Sequence, residues 1–509
     1  MKLKKIISIF LTGILFAACS SFLDYEPDGS TVTQEQVENV DGSLEYMLNG
    51  VYRLMSQRQT DNHNDFGVKG VDVFTDLLMG DMAMSKCTYG WYRDAAYQQL
   101  HYASAAFNSR TWTYYYKMLK NVNLVIKAAR NIEVEDDDNE QAAYRNYCLG
   151  QALAMRGYVY FNLAVLYGLS KDYSATALGT YCLPIYNEYN DSVGLPMSTL
   201  DDVYYAIERD LEDAIENLDS YGGYIRPSKV QIDSDIARGI LASVCLQKAY
   251  YCTGQEAKDL FTKAKRLAQE VIDANNFRIL DLASVTTTGF NSIENVSFMW
   301  GQDITKEMTG GLASFWGHVD IYTYGYASTG DSKQIDINLY NSIDSVNDER
   351  WKWWNQDDRL PYTPTGKFYS ATKPEIDGDM IWVNDVHFMR FEEMFLTVAE
   401  ASYKLDEFQD AHDALKVLLD QRDLNAAANL PIDGTIGAII HFNWRVELWG
   451  EGRALRVLKR INQDFSGAYM LGNNHMGNNS GKVANASEVY FTLELPSVEA
   501  NNNINIFNF

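Results

Sequence analysis

The stretches ASVCLQKAYYCTGQEAKDLFTKAKRLAQEVI, Ala242 to Ile272, and AEASYKLDEFQDAHDALKVLLDQRD, Ala399 to Asp423, decide the fold. Each carries small residues in a first helical period, a turn of a few residues, and then an alanine-spaced second helical period. Alanines let two helices approach closely, and hairpins of this kind stack to share a core, which is the layout of a degenerate tetratricopeptide unit. The spacing places one hairpin over 234–252 and 255–274, broken at Thr253-Gly254, and another over 391–405 and 408–421. Leu44, Leu48, Val51 and Met55 mark an earlier helix, Tyr115, Leu119, Val122 and Ile126 a second, and residues 141–167 a long third. Ser198-Thr199-Leu200-Asp201 caps another, with Val203, Ile207, Leu211, Ile215 and Leu218 on one face. The array is interrupted rather than continuous. Between 280 and 385 the helical period fades and Gly, Ser, Thr, Asp and aromatics take over, as in long functional loops. The expectation is a mainly α, tetratricopeptide-like paired-helix scaffold with long irregular loop insertions and few short strands.

The chain opens with MKLKKIISIFLTGILFAAC. Lys2, Lys4 and Lys5 form a basic start, Ile6 to Phe16 an apolar stretch too short to span a bilayer stably, and Ala17-Ala18 the small residues before a cleavage site. Cys19 follows directly, as in a bacterial lipobox, with Phe16 where such boxes usually carry Leu. The expectation is a lipoprotein signal over 1–18 and acylation of Cys19; the alternative is an ordinary cleaved signal with an incidental cysteine. Several acyl chains on one cysteine would anchor the protein durably, at roughly 0.8 kcal/mol per buried methylene.

With 46% hydrophobic residues among 509, the remainder is long enough to bury a large core. Loss of the signal's three lysines takes the formal charge from −25 to −28, which argues against nucleic acid and against electrostatic attachment to anionic lipid. Cys87, Cys148, Cys182, Cys245 and Cys252 make an odd set without repeated spacing, so most are expected as core thiols rather than a disulfide framework. Aromatic residues form 13% of the chain, more than core packing usually needs.

Several segments together resemble the SusD/RagB family, outer-membrane lipoproteins that partner TonB-dependent transporters in glycan uptake. CSSFLDYEP (Cys19–Pro27) matches the family's opening, and GQALAMRGYVYFNLAVLYG (Gly150–Gly168) its signature helix. MRFEEMFLTVAEASYKL, with Arg390, Glu392 and Glu400, resembles the arginine-led helix; NWRVELWGEGRALRVLKR (Asn443–Arg460) departs only at Val457, where an Asp is usual. FTLELPSVEANNN, from Phe491, resembles the closing segment. The resemblance implies a single body over 19–509, with an N-terminal part over 19–280 and a C-terminal part over 281–509. It also implies an outer-membrane position facing the cell exterior, an oligosaccharide or polysaccharide ligand, and a SusC-like TonB-dependent transporter as partner. A role in the surface capture of peptides or another nutrient is the alternative.

Sugar rings present apolar faces edged with hydroxyls, so their sites pair flat aromatics on loops with polar donors and acceptors. By that filter Trp112, Tyr115, Tyr116, Tyr158, Tyr160 and Phe161 belong to helix stripes and the core. CTYGWYRD, from Cys87, and the loop from Trp316 to Tyr326 are the regions from which the family's glycan contacts commonly come. The expected ligand-binding residues are Trp91, Tyr92 and Trp316, with Tyr322, Tyr324 and Tyr326 as further platforms and Asp76, Asp81 and Arg93 as polar partners. Trp351, Trp353 and Trp354, in WKWW, are a weaker second candidate. Glu447 and Glu451, four apart on one expected helix with Arg445, Arg453 and Arg456 nearby, offer the paired carboxylates of a glycosidase. The resemblance assigns them instead to an ion-pair network, so no catalytic residue is expected. No cofactor or metal ligand is expected either; Asp377-Gly-Asp379 and Asp136 to Asp138 could hold a structural calcium ion, but neither matches the twelve-residue calcium loop with its terminal Glu.

Overall fold

The computed structural model describes residues 42–96, 102–134, 139–168, 175–190, 194–220, 226–322, 324–369, 383–465, 469–476, 483–484 and 492–508. Residues 1–18, Cys19, Asp136 to Asp138 and Asp377 to Asp379 lie outside them. The chain divides into two compact units, Met1–Tyr46 and Met47–Phe509, and the packing below concerns the second.

Eleven helices longer than ten residues form the frame among the described residues. They are α1 (Ser43–Ser56), α2 (Val68–Met79), α3 (Ala106–Asn131), α4 (Asn139–Tyr167), α5 (Leu200–Asp219), α6 (Ser234–Ala249), α7 (Gly254–Ala274), α8 (Glu392–Lys404), α9 (Phe408–Leu419), α10 (Ile436–Glu447) and α11 (Ala454–Phe465). The fold is mainly α and tetratricopeptide-like, as expected. Each helix from α3 to α9 packs on the next. That corrects one expectation, because α7 and α8 are direct neighbours although residues 275–391 separate them in sequence. The interruption is looped out, and its ends are tied by antiparallel pairing of Phe298–Gln302 with Val386–Arg390. The hairpin alanines Ala242, Ala249, Ala264, Ala268, Ala399, Ala401 and Ala411 are all buried at these contacts.

Local chemistry explains the boundaries. Thr199 accepts from the Asp202 N–H while Asp202 accepts from the Thr199 N–H, a complete capping box that starts α5. Along α4, Gly150 and Gly157 leave so little room that a Cβ on them would lie 2.7 Å from Leu218 Cγ and 2.8 Å from Leu211 Cγ of α5. The signature segment therefore seats two helices in close contact. α2 escapes a periodicity argument because all twelve of its residues are buried, so it has no polar stripe.

The segment from Asn443 to Arg460 is not one helix. α10 ends at Glu447, Gly450 and Gly452 take φ of 77° and 75°, and α11 begins at Ala454. The turn carries Glu451 into the interior beside Glu447, where the pair meets cations from several elements. Arg390 reaches Glu451 at 2.9 Å and Glu447 at 3.2 Å, Arg422 reaches Glu447 and Glu392 at 3.0 Å, and Lys367 lies 2.8 Å from Glu451. All of these side chains are buried. Burial alone would raise the Glu447 carboxyl, but Arg422 and Arg390 outweigh it and hold the group at about 2. Arg156 forms a second buried centre, with two bonds to Asp210 at 2.6 and 2.7 Å and one to Glu188 at 2.6 Å, joining α4 to α5.

Candidate functional site

The loop after α2 is pinned before it reaches the surface. The Thr88 and Tyr89 N–H groups donate to the Asp331 carboxylate at 2.5 and 3.0 Å, and Tyr92 takes φ of 63°. That backbone turns Tyr92 inward, where its hydroxyl donates toward the Gly70 carbonyl at 3.2 Å, and leaves the preceding Trp91 half-buried. Trp91 then stacks on His63, with 5.3 Å between ring centroids and 1° between planes. Tyr326 stands edge-on to Trp91 at 6.1 Å, and its hydroxyl meets His63 Nδ1 at 2.6 Å. Tyr89, 48% exposed, packs edge-on to Tyr326 at 5.1 Å.

Beneath that face the rings continue inward. Tyr326 stacks on His318 at 4.8 Å, and His318 meets Tyr92 edge-on at 5.3 Å. His318 Nε2 donates to the His63 carbonyl at 2.8 Å, so the inner ring holds the outer loop. Burial, assisted by Lys333, keeps His318 neutral by lowering it well below the usual histidine range. Lys333 donates to the Asp331 carbonyl at 2.8 Å and is itself lowered by burial to about 8, against the pull of Asp331. The outer surface is thus three flat rings, Tyr89, Trp91 and His63, fixed from below and edged by exposed Arg93. It suits a ligand with an apolar ring face and hydroxyl edges.

The structure brings Trp91 and Tyr326 together, but Tyr326 is buried and supports the face from beneath instead of serving as a platform, and much of the remaining expectation is corrected as well. Trp316 is 2% exposed, its indole N–H donates to the Asn384 carbonyl at 2.7 Å, and it packs among Phe315, Phe368 and Tyr369. It supports its loop from inside. Tyr92 is buried for the backbone reason given above. Asp81 is buried and holds Arg445 through bonds of 2.6 and 3.0 Å. Asp76 is also buried and accepts from the Gly452 and Ala454 N–H groups, both at 3.3 Å; burial and neighbouring Asp72 push it up to about 7. Both aspartates fix the turn and helices behind the site. Tyr322 and Tyr324 are 61% and 69% exposed, but Tyr322 rests edge-on against Tyr369, and neither makes a ring contact with Trp91 among the described residues. Trp353 and Trp354 are buried, the first donating to the Val285 carbonyl at 3.0 Å and the second packed against Trp449. Sequence reasoning missed His63, which sits in the polar run QTDNHND without an aromatic neighbour, and Asp331, whose part depends on contacts 243 residues apart.

Loop-borne rings on a tetratricopeptide-like frame define a class of helical-repeat proteins with an aromatic surface. Two family models specify it. One, described as "Starch-binding associating with outer membrane" and SusD-like, matches residues 21–241, and the SusD family model matches residues 320–499. The chain belongs to the SusD/RagB family. No curated protein matches it. Among solved structures it is similar to a SusD-like carbohydrate binding protein from Bacteroides vulgatus, at 24% identity over 92% of this chain and 97% of that one, with a TM-score of 0.72. A SusD superfamily protein from Bacteroides thetaiotaomicron is 20% identical, with 93% and 99% covered and a TM-score of 0.71. Another from Bacteroides fragilis is 18% identical, with 92% and 99% covered and a TM-score of 0.68. No helix of the described residues is long and apolar enough to cross a membrane.

Proposed function

We propose that this protein is a non-catalytic, cell-surface glycan-binding lipoprotein that captures oligosaccharides on the Tyr89, Trp91 and His63 face. The observation that carries this is the Trp91 indole, half-buried and held parallel to His63 by a pinned loop. The family's description as starch-binding and associating with the outer membrane supports a polysaccharide ligand. Acylation at Cys19 would hold the body on the outer face of that membrane. A SusC-like TonB-dependent transporter is the partner that would receive the sugar.

Glu447 and Glu451 support a binding role rather than a hydrolytic one, because both are enclosed by arginine and lysine. A glycosidase acid must hold a proton near neutral pH, whereas Glu447 is held at about 2. Affinity electrophoresis of the chain without residues 1–18 through gels containing starch and other plant or host polysaccharides tests the proposal. Retardation by at least one, abolished in Trp91→Ala, is expected. Uniform mobility in all of them, with capture of peptides instead, overturns it.

A further inference from the structure

A second aromatic cluster stands apart from the Trp91 face and is built on the same plan. Trp351 lies 6.1 Å from Tyr340 with 26° between the planes, and Tyr362 meets Tyr340 edge-on at 5.0 Å. Trp351 and Tyr362 are half-buried, and Asp357, Asp358 and Arg359 in the intervening loop are exposed. As at the first face, a partly open indole rests on a flat ring with a tyrosine set edge-on beside the stack.

The backbone repeats the plan as well. Among the described residues five non-glycine positions take positive φ: Tyr92, Asn275, Leu360, Tyr362 and Asp406. Asn275 and Asp406 follow the ends of α7 and α8, where short polar side chains tolerate the left-handed region. The three bulky residues stand at the two aromatic clusters, with φ of 63° at Tyr92, 84° at Leu360 and 64° at Tyr362. Such strain persists only where surrounding bonds over-determine it, and it concentrates at sites of function. Here the bonds are explicit. The Asn355 N–H donates to the Thr363 carbonyl at 2.8 Å, the Tyr362 N–H donates to the Asn355 carbonyl at 2.7 Å, and Asn355 Nδ2 donates to the Leu360 carbonyl at 2.9 Å.

Both clusters hang from one short segment. The Asp331 carboxylate holds Thr88 and Tyr89, and four residues later the Ile335 N–H donates to the Tyr362 carbonyl at 3.0 Å. At no more than about 3.6 Å per residue the two attachment points lie within roughly 14 Å of each other.

We propose that Trp351, Tyr340 and Tyr362 form a second sugar platform, and that a single oligosaccharide chain engages it together with the Trp91 face. The inference rests on the glycan-binding role of the Trp91 face. Linking two contacts raises the affinity of a ligand long enough to reach both without strengthening either one.

Titration calorimetry of the chain without residues 1–18 against maltose and maltoheptaose tests this. The wild type is expected to bind maltoheptaose at least tenfold more tightly than maltose, and that advantage is expected to collapse in Trp91→Ala and in Trp351→Ala alike. Tyr362→Gly is the second variant, since glycine accepts φ near 64° and the relieved backbone offsets part of the packing lost with the ring; it too should lose the advantage. Collapse in Trp91→Ala alone, with Trp351→Ala and Tyr362→Gly within twofold of wild type, overturns the second platform and leaves the first intact. An advantage unchanged in every variant overturns the role of the Trp91 face and, with it, this inference. Absence of wild-type binding to either sugar overturns both for starch-type glycans.

Discussion

Trp91 and His63 lie ring on ring, 5.3 Å between centroids and 1° from parallel, though one belongs to the loop after α2 and the other to the loop before it. Tyr326 closes the arrangement through its bond to His63 Nδ1. The indole is therefore held in place before any ligand arrives, and binding incurs little ordering cost at this residue. Trp91→Ala is expected to weaken glycan binding by about 1.5–3 kcal/mol, the range for burying one large apolar side chain, or roughly ten- to hundredfold in Kd. Calorimetry checks the affinity, and an unchanged Tm separates the effect from unfolding.

Trp316 should behave in the opposite way. It is sealed among Phe315, Phe368 and Tyr369, with its N–H satisfied by Asn384. Trp316→Ala is expected to cost about 3–5 kcal/mol of stability through the cavity it leaves. The urea midpoint should fall clearly, and a midpoint equal to wild type would show that the indole is not part of the core.

The contrast between these two tryptophans shows what sequence conveys here. Helix pairs were legible because periodicity and alanine spacing are local signals, and α5 was legible down to its N-cap, Thr199, although Asp202, which completes the capping box, lies just past the segment the sequence pointed to. Exposure of a loop aromatic is not a local property. Trp91 and Trp316 both sit in Gly- and Tyr-rich loops, and only contacts with distant segments turn one outward and the other inward. Glu451 was misplaced for a different reason: Gly450 and Gly452 end the helix, but the apolar and charged periodicity of their neighbours runs through them uninterrupted.

Glu447 faces Arg350, Arg390 and Arg422 with no solvent to replace it. Glu447→Gln leaves those guanidinium groups short of a counter-charge and is expected to destabilise the fold by about 3–5 kcal/mol. Because the folded carboxyl is held near 2, below its ordinary value of 4.5, its contribution is fully present above pH 4.5 and is lost as pH falls through 2. Acid titration followed by circular dichroism should show wild-type stability declining across that window and a flatter profile in Glu447→Gln. Sugar-reducing ends should be released by neither protein.

Lys459 provides the opposite sign. Its ammonium is buried on α11 with the Val165 carbonyl as acceptor, and burial lowers it to about 7. Between pH 7 and 10.5 the unfolded chain holds a proton that the folded chain has released, so wild-type stability gains about 1.4 kcal/mol per pH unit from this group as pH rises. Lys459→Met removes the charge while filling the space. The variant is expected to be more stable than wild type at pH 6, and its advantage should shrink steadily toward pH 10. Denaturant midpoints of both proteins across that range check it; a constant difference would mean that Lys459 does not change its protonation on folding.

Gly157 tests whether the signature helix is a packing device. Alanine improves helix propensity over glycine by about 1 kcal/mol, so a glycine chosen for no reason would be better replaced. Its Cβ, however, would stand 2.8 Å from Leu211 Cγ, with both Leu211 methyl carbons within 3.3 Å, and rotation of one methyl does not relieve a clash with all three. Overpacking of this kind costs about 1–3 kcal/mol, so Gly157→Ala is expected to be neutral to destabilising by about 2 kcal/mol despite the propensity gain. The deciding measurement is the double-mutant cycle with Leu211→Ala. If α4 and α5 meet at this glycine, the alanine that harms the wild-type protein should cost less or even stabilise once Leu211 is shortened, giving a coupling of about 0.5–3 kcal/mol. Additive effects would place the constraint elsewhere, since two positions in contact are expected to couple and two that share no partner are not.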